Sequence, residues 1–177
     1  MQTIKWGPGL WTSLHCMTFN YPNIPEENDK IKYETFFTLL GDMLPCIYCR
    51  KSYKIYLECL PINDFLDTRE GISYWLYTLH NFVNKKIGKP IISFNECIEI
   101  YEKMRAKCGK VIENSVEFET CRINSNIINS SIIESFISKS KKYDEFVEKG
   151  KNKLNNHPNN PNKEACICRY KIYYDKF

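Results

Sequence analysis

The spacing of apolar residues along this chain predicts a protein built mostly from helices. Apolar side chains recur every three to four residues, the spacing of one face of an α-helix, and the chain has seven glycines among its 177 residues. The pattern is clearest from Arg69 to Lys86 (REGISYWLYTLHNFVNKK). Its apolar positions i, i+3, i+4, i+7 and i+11 are Ile72, Trp75, Leu76, Leu79 and Val83.

Four more helices are predicted around this one, with local signals at their ends. Pro45 separates the second from the third, and Gly88 followed by Pro90 stops the fourth. Ser93 has the character of an N-cap, because Glu96 stands three residues later as in a capping box. The predicted ranges are Gly9–Thr18, Lys32–Met43, Cys46–Leu60 and Ser93–Lys107. The five helices predict an all-α fold, a four- to five-helix bundle over residues 1–110.

The composition changes after Gly109, where asparagine, serine and lysine dominate. One amphipathic helix is predicted from Ser131 to Asn152. Residues 154–164 (LNNHPNNPNKE) then have the composition of a flexible linker that leads to a second close pair of cysteines. We therefore divide the chain into a helical domain, residues 1–110, and a mostly helical or irregular extension, residues 111–177.

Charge and length narrow the classes of function. A formal net charge of +4 is spread along the chain, so nucleic acid is not an expected partner. No apolar run approaches the ~20 residues of a membrane span, and the N-terminus MQTIKWGPG lacks the pattern of a signal peptide. We therefore expect a soluble, cytoplasmic protein with no membrane partner. Nine cysteines are many for that compartment, and close pairs there indicate metal or redox chemistry.

The stretch LPCIYC carries the first close pair, Cys46 and Cys49. Pro45 favours the first turn of a helix, so both cysteines are expected at a helix N-terminus, where the partial positive charge favours the thiolate. Two cysteines three residues apart can also close a disulfide there. The pattern favours a redox dithiol. It leaves open a zinc site completed by Cys166 and Cys168, or two inert buried thiols.

The second close pair, Cys166 and Cys168, strengthens the redox interpretation. A disulfide across C-x-C closes a very small ring, so it is strained and exchanges readily. On a tether, such a pair meets another dithiol at a high effective concentration. Two surface thiols in a tail are the alternative for this pair. For the whole chain, the alternative class is a zinc-stabilised helical binding module without redox activity.

Three longer blocks resemble one known family. They are WGPGLWTSLHCMTFNYP at 6–22, LPCIYC at 44–49 and WLYTLHNFVNKKIGKP at 75–90. In order and separation they resemble the signature blocks of the Erv/ALR FAD-linked sulfhydryl oxidases, over about residues 4–107. The motifs W-x3-H, P-C-x2-C and H-N-x-V-N-x4-K are together highly specific. The segment KPIISFNECIEIYEKM most resembles the branch carried by large cytoplasmic DNA viruses.

This resemblance implies an enzyme that holds FAD non-covalently in a helical bundle, without a glycine-rich Rossmann loop and without a metal. Cys49 would lie next to the flavin, and Cys46 would be the outer cysteine that exchanges with other thiols. The implied cofactor contacts come mainly from the first and fourth helices. They are Gly7, Trp11, His15, Trp75, His80, Asn81, Val83, Asn84, Lys86, Lys89 and Tyr101.

Without the resemblance, several of these side chains fit a structural role equally well. Trp11, Trp75 and Val83 are apolar enough for the core. His80 on an apolar stripe is, by itself, more often a satisfied core histidine than a ligand. The lysines at 86 and 89 suit the neutralisation of cofactor phosphates.

The strained, tethered C-x-C pair, together with the C-x2-C pair of the family it resembles, leads to the hypothesis of an electron relay. A client dithiol would reduce Cys166–Cys168, this pair would reduce Cys46–Cys49, and the electrons would pass through FAD to O2, giving hydrogen peroxide. The implied partners are thiol-containing client proteins, O2 and a second copy of the chain in a homodimer. The implied location is the host cytoplasm or the virion. The sequence leaves open which client is oxidised and whether the tail acts within one chain or between two.

The remaining cysteines depart from the pattern of the cellular family members, which have a C-x16-C pair after the third block. Here Cys97 and Cys108 are spaced C-x10-C. On one continuous helix they would lie ~16 Å apart, too far for a disulfide. Either the helix breaks between them or each has another partner, such as Cys59 or Cys121, and the partner of Cys16 is also left open.

Overall fold

Helices account for most of the structure, a computed structural model that describes residues 1–107, 122–123 and 129–163. The α-helices in these ranges are α1 (Thr3–Phe19), α2 (Glu27–Met43), α3 (Ile47–Cys59), α4 (Arg69–Ile87), α5 (Phe94–Lys103), α6 (Ser130–Ser140) and α7 (Asp144–Asn156). Two 3₁₀ helices, Ile62–Phe65 and Lys141–Tyr143, and a short antiparallel ladder of β1 (Ala106–Lys107) with β2 (Arg122–Ile123) complete the described part. The predicted all-α class is confirmed.

Two helix ends follow the signals in the sequence. At the start of α5, the Ser93 hydroxyl accepts a hydrogen bond from the Glu96 amide at 3.2 Å, and a Glu96 carboxylate oxygen accepts one from the Ser93 amide at 2.6 Å. This is the predicted capping box. Gly88 ends α4 in the left-handed conformation, with φ of 70°, a conformation that costs glycine little.

Two helices begin earlier than predicted. α1 begins at Thr3, although Pro8 lies inside it and a proline usually marks a boundary. α2 begins at Glu27 because Glu26 and Asp29 form a capping box. Glutamate is not among the favoured N-cap residues, so the usual start signal of a helix is absent at this position.

The fifth helix ends at Lys103, before its predicted end at Lys107. Just beyond it, Arg105 donates a hydrogen bond to the carbonyl of Phe19 at 2.7 Å, which fastens the end of α5 to the end of α1. The helix therefore stops before Cys108, which lies outside the described residues. The spacing expected for one continuous helix does not apply.

The fourth helix lies at the centre of the core. Ile72, Trp75 and Leu76 are fully buried, as the apolar stripe predicts. The Trp75 indole N–H donates to the Leu60 carbonyl at 2.9 Å, and its ring meets Phe37 edge-on with centroids 4.9 Å apart. These contacts fix α4 against the end of α3 and the middle of α2.

The helix predicted at 131–152 is two helices, α6 and α7, separated by a 3₁₀ turn. The break turns Tyr143 into the core, where it is 2% exposed. A Cβ on Gly71 would stand 2.5 Å from the Tyr143 ring, so this close approach requires glycine on α4. On α6, Lys139 forms a 2.9 Å ion pair with Glu70, which is 4% exposed. The described residues of the extension thus pack on the bundle.

The prediction of a flexible linker is wrong for residues 154–163. Leu154 and Asn160 are buried, and Asn162 accepts a 2.8 Å hydrogen bond from Tyr56 on α3. Asparagine side chains satisfy the backbone of this turn, since the Asn160 side chain accepts from the Asn162 amide at 2.9 Å. The composition of a linker here serves an ordered turn. Within the described ranges, no helix is long and apolar enough to cross a membrane.

Candidate active site

A cavity of about 780 Å³ opens between α1, α3 and the C-terminal half of α4. Its volume is within the range typical of small-molecule and cofactor sites. The side chains and glycines that line it are Thr3, Ile4, Trp6, Gly7, Pro8, Leu10, Trp11, Thr12, Leu14, Leu40, Leu44, Tyr48, Cys49, Ser52, Tyr53, Tyr56, His80, Val83, Asn84, Lys85, Lys86, Ile87, Gly88, Lys89, Tyr101 and Asn162.

The start of α3 places the C-x2-C pair at this cavity. α3 begins at Ile47, so Cys46 is its N-cap and Cys49 the third residue of its first turn. Pro45 precedes the cap, two residues before Ile47, and so lies outside the first turn in which it was predicted. Cys49 lines the cavity, whereas Cys46 is half-buried at its edge and is not part of the lining. The two sulfurs therefore differ in their access to the cavity.

Aromatic and imidazole rings form a stacked group at the α1–α4 side of the cavity. Trp11 stacks on His80, with ring centroids 4.0 Å apart and planes 6° apart. His15 lies behind His80, with its Nε2 3.0 Å from Nδ1 of His80. On its other side the His15 ring stacks on Tyr101 at 4.4 Å. Trp11, His80 and Tyr101 face the cavity, while His15, 1% exposed, holds them in place.

Both histidines of this group are neutral at pH 7. Burial, with a smaller contribution from the charge of Lys89, lowers the pKa of His80 to about 4. Burial and the neighbouring His80 lower the pKa of His15 to about 3. In the hydrogen bond between the two rings, one neutral imidazole donates and the other accepts.

The histidine pair predicts that stability falls as the pH is lowered from 7 to 5.5. The unfolded chain protonates His15 and His80 near their ordinary pKa of 6.5, whereas the folded protein keeps them neutral. The unfolded state therefore binds more protons, and the loss is roughly 1 kcal/mol for each histidine. Urea unfolding at the two pH values measures it. A variant with His15→Gln and His80→Gln should lose most of this pH dependence; an unchanged dependence would contradict the assignment.

The far end of the cavity is cationic. Lys85, Lys86 and Lys89 line it, and no carboxylate is among the described lining residues. The Lys86 ammonium donates to the Ser52 hydroxyl, which joins α4 to α3 across the site. Gly88, in its left-handed conformation, turns the chain so that Lys89 also lies at the rim. This end suits an anionic group such as a pyrophosphate.

The residues present fit a flavin dinucleotide. Stacked aromatic and imidazole planes can take flat rings, and the lysines suit the phosphates. The buried indole N–H of Trp6, which lines the cavity, has no hydrogen-bond partner among the described residues. An unsatisfied donor in a cavity wall is costly unless a ligand accepts its hydrogen bond. At Gly7, nothing lies within 4 Å of where a Cβ would stand, which leaves room for close approach.

We expect Lys86→Gln and Lys89→Gln each to weaken the binding of FAD roughly tenfold, about the contribution of one charge-assisted hydrogen bond. The effect should shrink at high salt, which screens exposed charges. Titration of the flavin fluorescence measures it. Lys32→Gln is the matched control, because Lys32 is exposed on α2, outside the cavity. If the unmodified protein and the three variants bound FAD with equal affinity, a role of Lys86 and Lys89 in binding the phosphates would be excluded.

The structure does not bring every predicted residue to the cavity. Trp75 is in the core, so its assignment to the cofactor site is corrected. Asn81 is also outside the lining; it donates to the Ile92 carbonyl at 3.2 Å and accepts from Asn84 at 3.3 Å. It therefore positions Asn84, which lines the cavity. His15 likewise acts through His80. The predicted residues that line the cavity are Gly7, Trp11, Cys49, His80, Val83, Asn84, Lys86, Lys89 and Tyr101.

The sequence analysis missed one side of the site, on α3. Ser52, Tyr53 and Tyr56 line the cavity together with Cys49. Their spacing of three, four and seven residues from Cys49 places them on the same helix face. The helical spacing of these residues from Cys49 is the signal in the sequence that indicates this side of the site. Trp6 and Lys85 were also missed.

The buried thiols of Cys59 and Cys97 do not line the cavity. Burial raises the pKa of the Cys97 thiol to about 12, and burial raises the pKa of Cys59 as well. Both are therefore poor nucleophiles at neutral pH. In the described ranges, no three potential metal ligands come together. Cys166 and Cys168, the predicted shuttle pair, lie outside the described residues, as do Cys108 and Cys121.

The fold and the site define a class: a helical bundle that holds a flat, anionic cofactor next to a C-x2-C pair. The comparisons with known proteins agree. Residues 8–105 match the Erv1 / Alr family. The chain belongs to this family.

Two viral relatives match most of their own length. The chain is 38% identical over 104 residues to a probable FAD-linked sulfhydryl oxidase of Acanthamoeba polyphaga mimivirus. The aligned region covers 58% of this chain and 73% of that protein. It is 37% identical over 102 residues to an FAD-linked sulfhydryl oxidase of African swine fever virus. That alignment covers 56% of this chain and 82% of the viral protein. The fold resembles the crystal structure of the FAD-binding domain of Erv1 from Saccharomyces cerevisiae, with a TM-score of 0.55 and 27% identity over 58% of this chain and 95% of that one.

Proposed function

We propose that this protein is a sulfhydryl oxidase that forms disulfide bonds in client proteins. It is an FAD-linked thiol oxidase of the Erv1 / Alr family, and thiols are its substrates. The observation that supports the mechanism best is the position of Cys49 in the wall of the cavity that the stacked rings and lysines shape for a flavin dinucleotide. Bound FAD would accept the two electrons of the Cys46–Cys49 dithiol and pass them to O2, giving hydrogen peroxide.

One set of residues would bind the cofactor, and the Cys46–Cys49 pair would exchange disulfides. Trp11, His80 and Tyr101 would hold flat rings, and Lys86 and Lys89 the phosphates. His15 and Asn81 position these contacts from behind. The neutral histidines place no positive charge among the stacked rings, which leaves the lysines at the other end to take the phosphates.

Cys46 and Cys49 have different roles in exchange. Cys46, at the edge of the cavity, meets the thiolate of an incoming dithiol and forms a mixed disulfide with it. Cys49 leaves as a thiolate, which the N-terminus of α3 favours. The second thiol of the incoming pair then releases Cys46, and the incoming pair departs as a disulfide. Two electrons and two protons have then passed from the incoming dithiol to Cys46 and Cys49.

The incoming dithiol is the tail pair, Cys166 and Cys168. A client reduces the tail, and the tail reduces the pair on α3. The strained C-x-C ring favours exchange. We also propose that two copies of the chain form a homodimer and, because two relatives are viral, that the protein acts in the host cytoplasm or the virion.

Replacing both tail cysteines with serine should slow the oxidation of a reduced protein client about tenfold. Oxidation of dithiothreitol should be unchanged, because this small dithiol reaches Cys46 directly. Oxygen uptake with each substrate measures the two rates. The matched control is Cys16→Ser, which removes an exposed thiol on α1 away from the cavity lining. Equal rates on the protein client with and without the tail cysteines would exclude the shuttle while leaving the oxidase intact.

A further inference from the structure

A turn of the C-terminal extension brings one more polar side chain into the wall of the cofactor cavity. Asn162 lines the cavity, although it lies outside residues 8–105, which match the family. Its side-chain oxygen accepts a 2.8 Å hydrogen bond from the hydroxyl of Tyr56, a fully buried residue of α3. The extension therefore supplies a part of the cavity wall that the matched domain does not contain.

The extension holds this turn firmly against α3. On α7, a Cβ on Gly150 would stand 2.9 Å from the Cys59 carbonyl oxygen, so α7 approaches the end of α3 more closely than a larger residue would allow. Leu154, near the end of α7, is 3% exposed in the main core. After it, Asn160 is 6% exposed, and its side chain accepts a hydrogen bond from the Asn162 amide at 2.9 Å. Packing and hydrogen bonds thus determine where Asn162 lies.

Asn162 lies next to the cationic end of the cavity. Its partner Tyr56 follows Ser52 by one helical turn on α3, and Ser52 accepts the hydrogen bond of the Lys86 ammonium. Residues four apart on a helix are neighbours on its surface. Asn162 and Lys85 both line this cavity and also an adjacent hollow of about 260 Å³. The wall between the two spaces therefore carries both an amide and an ammonium group.

The hydrogen bond to Tyr56 leaves the donor half of the Asn162 amide available. Within the described ranges, Asn162 makes one hydrogen bond through its side-chain oxygen and one through its main-chain amide. Its Nδ2 carries two N–H groups and donates to no described residue. Because Tyr56 holds the oxygen, it also orients the amide plane at the cavity wall. An N–H₂ group beside lysines suits an acceptor with negative charge, such as a phosphate oxygen.

We infer that Asn162 is a cofactor-binding residue: its Nδ2 donates to a phosphate oxygen of FAD beside Lys85 and Lys86, and Tyr56 sets its orientation. This inference deepens the proposed site and rests on FAD as its cofactor. The lysines attract phosphate as charges on flexible stems, whereas an amide held by a hydrogen bond also fixes the position of its acceptor. The extension thereby completes the binding site for the anionic part of the cofactor.

Three full-length variants test the inference by titration of the flavin fluorescence. Asn162→Ala removes the donor and should weaken FAD binding roughly tenfold, the usual contribution of a hydrogen bond to a charged group. Asn162→Asp keeps an oxygen for Tyr56 but replaces the donor with a charged acceptor, so it should weaken binding more than alanine does. Asn159→Ala is the matched control and should not change the affinity, because Asn159 is exposed in the same turn, outside the cavity lining.

Two results of the titration would overturn the inference. In the first, Asn162→Ala binds FAD as tightly as the unmodified protein. In the second, Asn162→Ala weakens binding but Asn162→Asp does not, which would make Asn162 only an anchor for Tyr56. If the unmodified chain itself bound no FAD, the proposed flavin oxidase would be refuted, and the inference would fall with it. The failure of the inference alone is therefore distinguishable from the failure of the proposed function.

Phosphorus NMR of bound FAD gives a readout that a purely structural role of Asn162 would not change. Each protein is saturated with FAD, so differences in affinity do not enter. Asn162→Ala should shift at least one of the pyrophosphate resonances, because the loss of a hydrogen bond changes the electron density at that phosphate. Asn159→Ala should leave the resonances in place. Resonances that are the same in Asn162→Ala and in the unmodified protein would place the amide away from the phosphates and overturn the inference.

Discussion

Replacing Cys49 with serine is expected to lower thiol oxidation at least about a thousandfold, with dithiothreitol as well as with a protein client. Removal of a group that reacts covalently commonly costs this much. Cys49 is the cysteine among the described residues that lines the cavity. Cys46 lies outside the lining, Cys16 is exposed on α1, and Cys59 and Cys97 are buried. Oxygen uptake at saturating dithiol measures the loss.

The Cys49→Ser protein should still bind FAD, since the stacked rings and lysines are unchanged. Its flavin absorbance therefore controls for folding and cofactor content. Cys16→Ser, on the exposed surface of α1, should retain the activity of the unmodified protein. A Cys49→Ser protein with full flavin content and more than a tenth of the original rate would contradict the assigned role.

Trp75→Ala is expected to lower the free energy of unfolding by about 3–5 kcal/mol, the usual cost of emptying a large aromatic site in a core. The Trp75 side chain is fully buried, and its loss also leaves the Leu60 carbonyl without the indole donor. Urea unfolding of the protein with saturating FAD measures the change. The expected effect is on stability because Trp75 does not line the cavity.

Trp75→Phe is the matched variant. It keeps a ring against Phe37 and loses the hydrogen bond and part of the volume, so it should cost about half as much as the alanine variant. Trp75 is either a core residue or a contact of the cofactor, and the two assignments predict different results for Trp75→Ala. If Trp75→Ala unfolded like the unmodified protein but lost its flavin, Trp75 would be a cofactor contact and its placement in the core would be contradicted.

The fourth helix shows what the sequence can predict and where it stops. Its apolar stripe gives the helix and its buried face, and Gly88 gives its end, because both signals are local. Trp75 and Val83 belong to the same stripe, yet Trp75 faces the core and Val83 the cavity. A stripe records that side chains avoid water, and it does not distinguish packing against protein from packing against a ligand.

The site shows the same limit. The motifs placed Cys49, Trp11 and His80 in one cavity, because the three blocks carry the residues that line it. They did not show that His15 stands behind His80, which depends on how α1 crosses α4. The asparagine-rich turn was mistaken for a linker because its partner, Tyr56, is more than a hundred residues away. Composition alone carries no information about such a contact.

The most direct test of the central claim is the visible absorption spectrum of the purified protein, followed by oxygen uptake on addition of dithiothreitol. We predict a yellow protein with about one FAD per chain that consumes oxygen and releases hydrogen peroxide. A colourless protein that consumes no oxygen, even after FAD is added, would contradict the claim that this chain is a flavin-dependent thiol oxidase.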